Sequence, residues 1–285
     1  MRNDTPRHPD DGTPDDGEAT LMSTAEPAAF YERLSENEFR TTAATASPWD
    51  ESLQHGGPPA ALLARAAMNA RPDDGVQIGR IGVDMLGGIP QGVIRSEATV
   101  VRPGRRIELI EAKLWANGRL AVTALIWRIR VDHGVTAAQT APETVPALPP
   151  EQPQRYFTQA GPAWGYGRAV EWRFLTGDYN SLGPADVWTR LRIPLVAGEK
   201  TTPIERLMVL ADSVNGLSLE LPIAQWLSIP PTVNVTVLRP PAHDWMLLRT
   251  RTVIGAGGVG LARGQIYDED GLLAEVAQPL LVQPR

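Results

Sequence analysis

The sequence contains no cysteine, which excludes disulfides, thiolate catalysis and cysteine-bound metal. Lysine is almost as scarce: of 27 basic residues only Lys113 and Lys200 are lysines. Aromatic residues make up 6% and are not interleaved with basic ones, so a surface that stacks bases and neutralises phosphates is not expected and nucleic acid is not an expected partner. No apolar run approaches the roughly 18 residues of a membrane helix. The N-terminus also lacks the basic, apolar, then small-residue order of a secretory signal. No membrane partner and a cytoplasmic location are therefore the default expectations. The patterns G-x-S-x-G, H-E-x-x-H and the P-loop are missing too, and neither metal nor cofactor is expected.

What is present is a chain of 285 residues, 42% hydrophobic, enough for two cores of ordinary size. Its net charge of -6 is concentrated at one end. Residues 1–20 hold six acids (Asp4, Asp10, Asp11, Asp15, Asp16, Glu18) against two bases, Arg2 and Arg7. With so few apolar residues the tail, 1–24, cannot offset its chain entropy by burial and is expected to be disordered.

The rest reads as one unit written twice. Sliding the sequence by 153 residues lays the Asn117-Gly118 turn on Asp270-Gly271 and Pro103-Gly104 on Ala256-Gly257. Such a period is far longer than the roughly 20–50 residues of a stacked repeat, so it marks a duplicated domain. Each copy has an Ala/Leu-rich helix, Pro58 to Ala70 and then Pro203 to Gly216, followed by a strand and three long alternating segments. A short helix is expected at Pro27 to Leu34 and a first strand at Glu38 to Ala46. Thr202, Pro203 and Glu205 form a capping-box start, with Asn215-Gly216 as the stop. Five prolines between 141 and 153 have the composition of a stiff inter-domain linker. The expected domains are 25–140 and 155–285 around a linker at 141–154. One apolar helix per set of antiparallel strands suggests an α+β architecture in which a curled sheet wraps a central helix: a tandem, or double, hotdog.

Residues Gly255 to Gly260 (GAGGVG) satisfy the dinucleotide pattern G-x-G-x-x-G, but the following Leu261 to Tyr267 alternate as a strand. The glycines therefore open no helix whose dipole could meet a pyrophosphate. Three other features interrupt apolar surfaces. Gln278 is the one polar member of a strand face with Leu272, Ala274, Val276, Leu280 and Val282. Asp212 sits among Met208, Leu210, Ala211 and Val214 at the negative end of its helix, where desolvation and the dipole both raise a carboxyl pKa. Thr232, Asn234 and Thr236 alternate with valines. Each of these polar groups has a structural alternative, satisfaction of a neighbouring backbone group.

The segments ADSVNG (211–216), TVNVTVLRPP (232–241), IYDEDGLL (266–273) and AQPLL (277–281) resemble the double-hotdog acyl-CoA thioesterases of the thioesterase II type. HGGPPAALLARA (55–66) and VRPGRR (101–106) are similar to the thioesterase-like branch of that superfamily. The resemblance spans about residues 28–285. It implies hydrolysis of a fatty acyl-CoA by a water held between an Asp on the second helix, a Thr on the next strand and a Gln on the last. In this sequence those positions are Asp212, Thr232 and Gln278. The chain departs from the pattern at Asn234, where the family commonly has Asp.

On this reading the amides of Gly56 and Gly57 polarise the thioester carbonyl, His55 is either a substrate contact or a structural histidine, and Arg102, Arg105 and Arg106 meet CoA phosphates. All turnover is expected in the second half, since at the 153-residue offset Asp212, Thr232 and Gln278 fall on Pro59, Gly79 and Leu125. The resemblance also implies a homodimer or larger homo-oligomer. Two alternatives stay open: an acyl-binding protein without turnover, and an enoyl-CoA hydratase on the same scaffold.

Overall fold

The computed structural model describes residues 27–135, 144–158 and 164–285, so the acidic tail lies outside the described residues. The first half contains β1 (Tyr31–Arg33), β2 (Glu38–Thr41), α1 (Gly57–Ala70), β3 (Val76–Met85), β4 (Val93–Arg102), β5 (Ile107–Ala116) and β6 (Arg119–Arg130). The second contains α2 (Gly165–Arg168), β7 (Val170–Thr176), β8 (Ala185–Leu191), α3 (Pro203–Ala211), α4 (Val214–Leu217), β9 (Trp226–Ile229), β10 (Thr232–Val237), β11 (Met246–Ile254), β12 (Val259–Asp268) and β13 (Gly271–Pro284).

The strand order is β2-β4-β5-β6-β3 in the first half and β8-β11-β12-β13-β10 in the second, the same order twice. In each, the long helix lies against the inner face of the sheet: a double hotdog. The halves join edge to edge through the antiparallel pair β3–β10, in which Gly82 faces Asn234. These two are equivalent residues on a pseudo-twofold axis, so the structural offset is 152, not 153. Matching bulges confirm it: the register shifts at Leu114/Trp115 on β5 and at Ile266/Tyr267 on β12. The counterpart of Gln278 is therefore the buried Ile126 and not the exposed Leu125.

α1 starts with two prolines, which its first turn tolerates because those amides have no intrahelical acceptor. It is buried along most of its length. It packs antiparallel to α3: Arg65 pairs with Glu205, while at the other end a Cβ on Gly57 would come 2.1 Å from the carbonyl oxygen of Val209. Only glycine permits that approach. The capping box is present, with Thr202 accepting from the Glu205 amide at 3.4 Å and Glu205 accepting from the Thr202 amide at 2.7 Å.

Four expectations change. Pro27 to Leu34 is not a helix, because Phe30 and Tyr31 donate their amides to Pro194 and Leu195 of the second half and draw the chain out into β1. After β2, Ala43–Thr45 is a 3-10 turn capped by Thr42 rather than strand. The helix expected to run to Gly216 breaks at Asp212 and resumes as α4. From residue 144 on, the proline-rich stretch is a strap rather than a spacer: Gln152 and Gln154 each exchange two hydrogen bonds with the β7 backbone, at Phe174 and Trp172, and cover that sheet edge. As expected, Gly257 and Gly258 (φ +86° and +79°) make a hairpin turn between β11 and β12, and GAGGVG opens no helix.

Candidate active site

Antiparallel packing of the two long helices brings the N-terminus of α1 to the C-terminus of α3. Asp212 caps α3, its side chain only 9% exposed there. A Cβ on Gly56 would lie 2.8 Å from Asp212 Oδ2, so the chain before α1 must be glycine to admit the carboxylate. From the sheet side Gln278 Nε2 donates to Asp212 Oδ1 at 2.9 Å, and the Gln278 Oε1 accepts the Asn215 amide at 3.0 Å. Asn215 continues the chain, its Nδ2 donating to the Ser228 carbonyl at 2.8 Å and its Oδ1 accepting from Ser228 Oγ at 3.0 Å.

His55 completes the cluster. Its Nδ1 lies 3.3 Å from Asp212 Oδ2 and accepts the Gly57 amide at 3.2 Å, while its ring stacks flat on Tyr166 at 3.7 Å. Tyr166 in turn donates to the Val209 carbonyl, with Ser213 Oγ 2.8 Å from its hydroxyl. Burial pushes the Asp212 carboxyl up to about 7, against the hydrogen bonds from Gly56 and Gln278. Burial pushes His55 the other way, to about 3. The approach of Nδ1 to Oδ2 is attractive only with a proton between them. Because Nδ1 accepts the Gly57 amide, the ring's own proton belongs on Nε2 and the proton in this contact on the Asp212 carboxyl, the direction in which burial shifts both groups.

The cluster borders a cavity of about 30 Å³ lined by Trp49, His55, Phe157, Trp164, Asp212 and Pro230, among others. One water needs only about 10–15 Å³ of such space. The site therefore has a titrating carboxyl, fixed amide donors, room for water and aromatic walls.

The residues expected from sequence are divided by the structure. Asp212 and Gln278 meet, and His55 joins them, paired with a carboxylate that sequence spacing did not suggest. Thr232 does not join them. It pairs with the exposed Asp84, whereas the next residue, buried Val233, shares the inner face with Gln278. The Thr232 hydroxyl is donated to the Val83 carbonyl at 2.8 Å. Asn234 shares that outer face and accepts from Arg80 at 2.6 Å. The Gly56 and Gly57 amides are engaged by Asp212 and His55 rather than open to a carbonyl. Arg105 and Arg106 line a cleft with Arg71 and Val76, just beyond the C-terminus of α1, and Arg102 lies over Trp127. At 1.5 Å per residue the length of α1 puts them about 20 Å from His55. The site also draws on both halves, since His55 and Gly56 come from the first.

Sequence reasoning missed Asn215, Ser228 and Tyr166. Asn215 was visible only as a helix stop, and β9, which carries Ser228, is too short to show a period. Ser228 pairs with buried Val282 and so lies on the inner face of the sheet with Gln278.

The chain matches the acyl-CoA thioesterase N-terminal domain family over residues 45–129 and the acyl-CoA thioesterase C-terminal domain family over 142–282. No curated protein matches it in sequence. Among solved structures, a putative thioesterase II from Thermobifida fusca aligns with a TM-score of 0.69 at 18% identity, covering 90% of this chain and 96% of that one. A protein of unknown function with a hot dog fold from Alicyclobacillus acidocaldarius gives 0.68 at 18% identity, covering 88% and 95%. An acyl-CoA thioesterase II from Mycobacterium marinum gives 0.64 at 18%, covering 90% and 95%. At that identity the structures speak to the fold; the two domain matches, in the right order and spanning both halves, establish that the chain belongs to the acyl-CoA thioesterase family.

Proposed function

We propose that the protein hydrolyses a fatty acyl-CoA thioester with Asp212 as general base. The observation that carries this reading is the Asp212 carboxyl held by Gln278 at the border of a water-sized cavity between the halves, where burial pushes it up to about 7. Ionised Asp212 accepts a proton from water as the water oxygen attacks the thioester carbonyl carbon. The carbon–sulfur bond then breaks, Asp212 returns its proton to the sulfur, and a carboxylic acid and the CoA thiol leave. Gln278 keeps the carboxyl oriented, and Asn215 and Ser228 keep Gln278 oriented. In this scheme Thr232 has no place beside the water.

A second reading rests on the His55–Asp212 contact, because an acid–base pair is what hydration of an enoyl-CoA requires. The stacking of His55 on Tyr166 and its low pKa disfavour it as a proton carrier. One assay separates the two: free thiol released from a panel of acyl-CoAs, run beside the absorbance of an enoyl-CoA. Thiol release that vanishes in Asp212→Asn supports hydrolysis. Loss of enoyl absorbance without thiol release supports hydration, and neither signal leaves an acyl-binding protein.

A further inference from the structure

The pseudo-twofold axis that places the catalytic cleft at one helix junction generates a second junction, where the N-terminus of α3 meets the C-terminal part of α1. A cleft of about 330 Å³ lies there, lined by Met68, Val76, Ile78, Ile204, Val237 and Pro240 among others. It is the mate of the catalytic cleft: at the 152-residue offset Ile78 becomes Pro230, which lines the catalytic cavity, and Val237 becomes Met85, whose sulfur lies beside Gly56. Its chemistry is gone. Gln278 is replaced by Ile126, and the acid at this junction, Glu205, is bound by Arg65 and the Thr202 amide.

The apolar cleft shares Val76 with a second, wider cleft of about 870 Å³, into which Arg71, Arg105, Arg106 and Arg130 project beside Asp73, Glu108 and Asp132. Glu108 is held by Arg71 and Arg128, Asp73 by Arg130, and Asp132 is folded onto the Gly134 amide. Arg105 and Arg106 have no carboxylate partner among the described residues. An apolar slot opening onto unpaired arginines matches a ligand with an alkyl chain at one end and phosphates at the other.

We infer that this mate is a second, non-catalytic site for a fatty acyl-CoA, its acyl chain in the apolar cleft and its phosphates on Arg105 and Arg106. The ligand class rests on the proposed hydrolysis of acyl-CoA; the site itself rests on the symmetry and the lining.

The test is calorimetric titration of the whole protein with a non-hydrolysable thioether analogue of a long-chain acyl-CoA. Two unequal sites per chain are expected. Arg105→Glu combined with Arg106→Glu, both exposed and remote from the core, is expected to weaken one of them at least about tenfold and leave the other. Ile204→Arg, which blocks the slot, should remove the same site. A single site that neither variant changes overturns the inference while leaving the proposed hydrolysis intact. No binding at all overturns both. Binding of the free fatty acid as tight as that of the analogue, and insensitive to the arginine reversal, overturns the assignment of the phosphates.

Discussion

Replacing Asp212 by Asn removes a charge and keeps the volume, and it should separate stability from activity along the pH axis. The carboxyl titrates near 3.8 in the unfolded chain and at about 7 when folded. Between those values the folded protein holds a proton that the unfolded chain has released, so stability falls as pH rises and levels off above about 7. A shift of that size, at 1.36 kcal/mol per unit, is worth about 4 kcal/mol. His55, lowered to about 3, contributes the opposite slope, present fully above the unfolded value of 6.5 and lost as pH falls toward 3. The burial that lowers His55 persists in Asp212→Asn, so most of that contribution cancels in the difference between the two proteins. Urea unfolding of the wild type and Asp212→Asn from pH 4.5 to 8.5 should thus show the variant gaining about 3–4 kcal/mol over the wild type towards high pH. Over the same range wild-type turnover should rise through pH 7 as the base ionises, while the variant loses about a hundred- to ten-thousand-fold. Unfolding curves whose separation stays constant with pH would refute the raised carboxyl, and near-normal turnover in the variant would remove Asp212 from the reaction.

Gln278→Leu should lower the rate sharply, whereas Thr232→Val, on the outer face, should leave it within about twofold; the reverse ranking, measured by thiol release, would restore the family's threonine to the water site. Thr202→Ala removes the capping box and should cost about 1 kcal/mol in urea unfolding, with no change in m. A chain beginning at Met22 should keep the melting temperature and activity of the full chain, since the tail's composition cannot support a core; a drop of several degrees would show that it docks. Sedimentation at micromolar concentration should give a homodimer or larger, and a monomer mass alone would count against that assembly.

The long elements were legible because their signals are local. The capping box, the four glycine-turned hairpins and the alternating strands all state their geometry within a few residues. Gln278 was legible for the same reason, as a polar interruption of a period-2 face. The face of Thr232 was not. Alternation shows that Thr232 and Val233 point oppositely, but which side meets the helix depends on the pairing of β10 with β3 and β13, a long-range fact. His55 was harder still, since its partner lies 157 residues away in sequence, across the helix junction. The same distance effect explains the first segment: Phe30 and Tyr31 are drawn out of a helical course because their amides donate to the Pro194 and Leu195 carbonyls.

Duplication accounts for why the candidate site sits at one helix junction and why the described residues of the other junction do not repeat it. A carboxylate at the end of α3 is disfavoured by that helix's own dipole, yet the partner helix arrives antiparallel and offers its positive end, with the Gly56 amide, to the same group. The two opposed fields and the burial leave Asp212 titrating near neutrality, where a base is useful. At the other junction the same problem is met structurally: the C-terminal carbonyls of α1, at Ala67 and Arg71, accept from the buried Arg128, and the counterpart of Gln278 is apolar. A cation at a helix C-terminus stabilises where an anion would not. One junction is therefore built from groups whose fields agree, and the other keeps a conflict that, with burial, raises the Asp212 carboxyl.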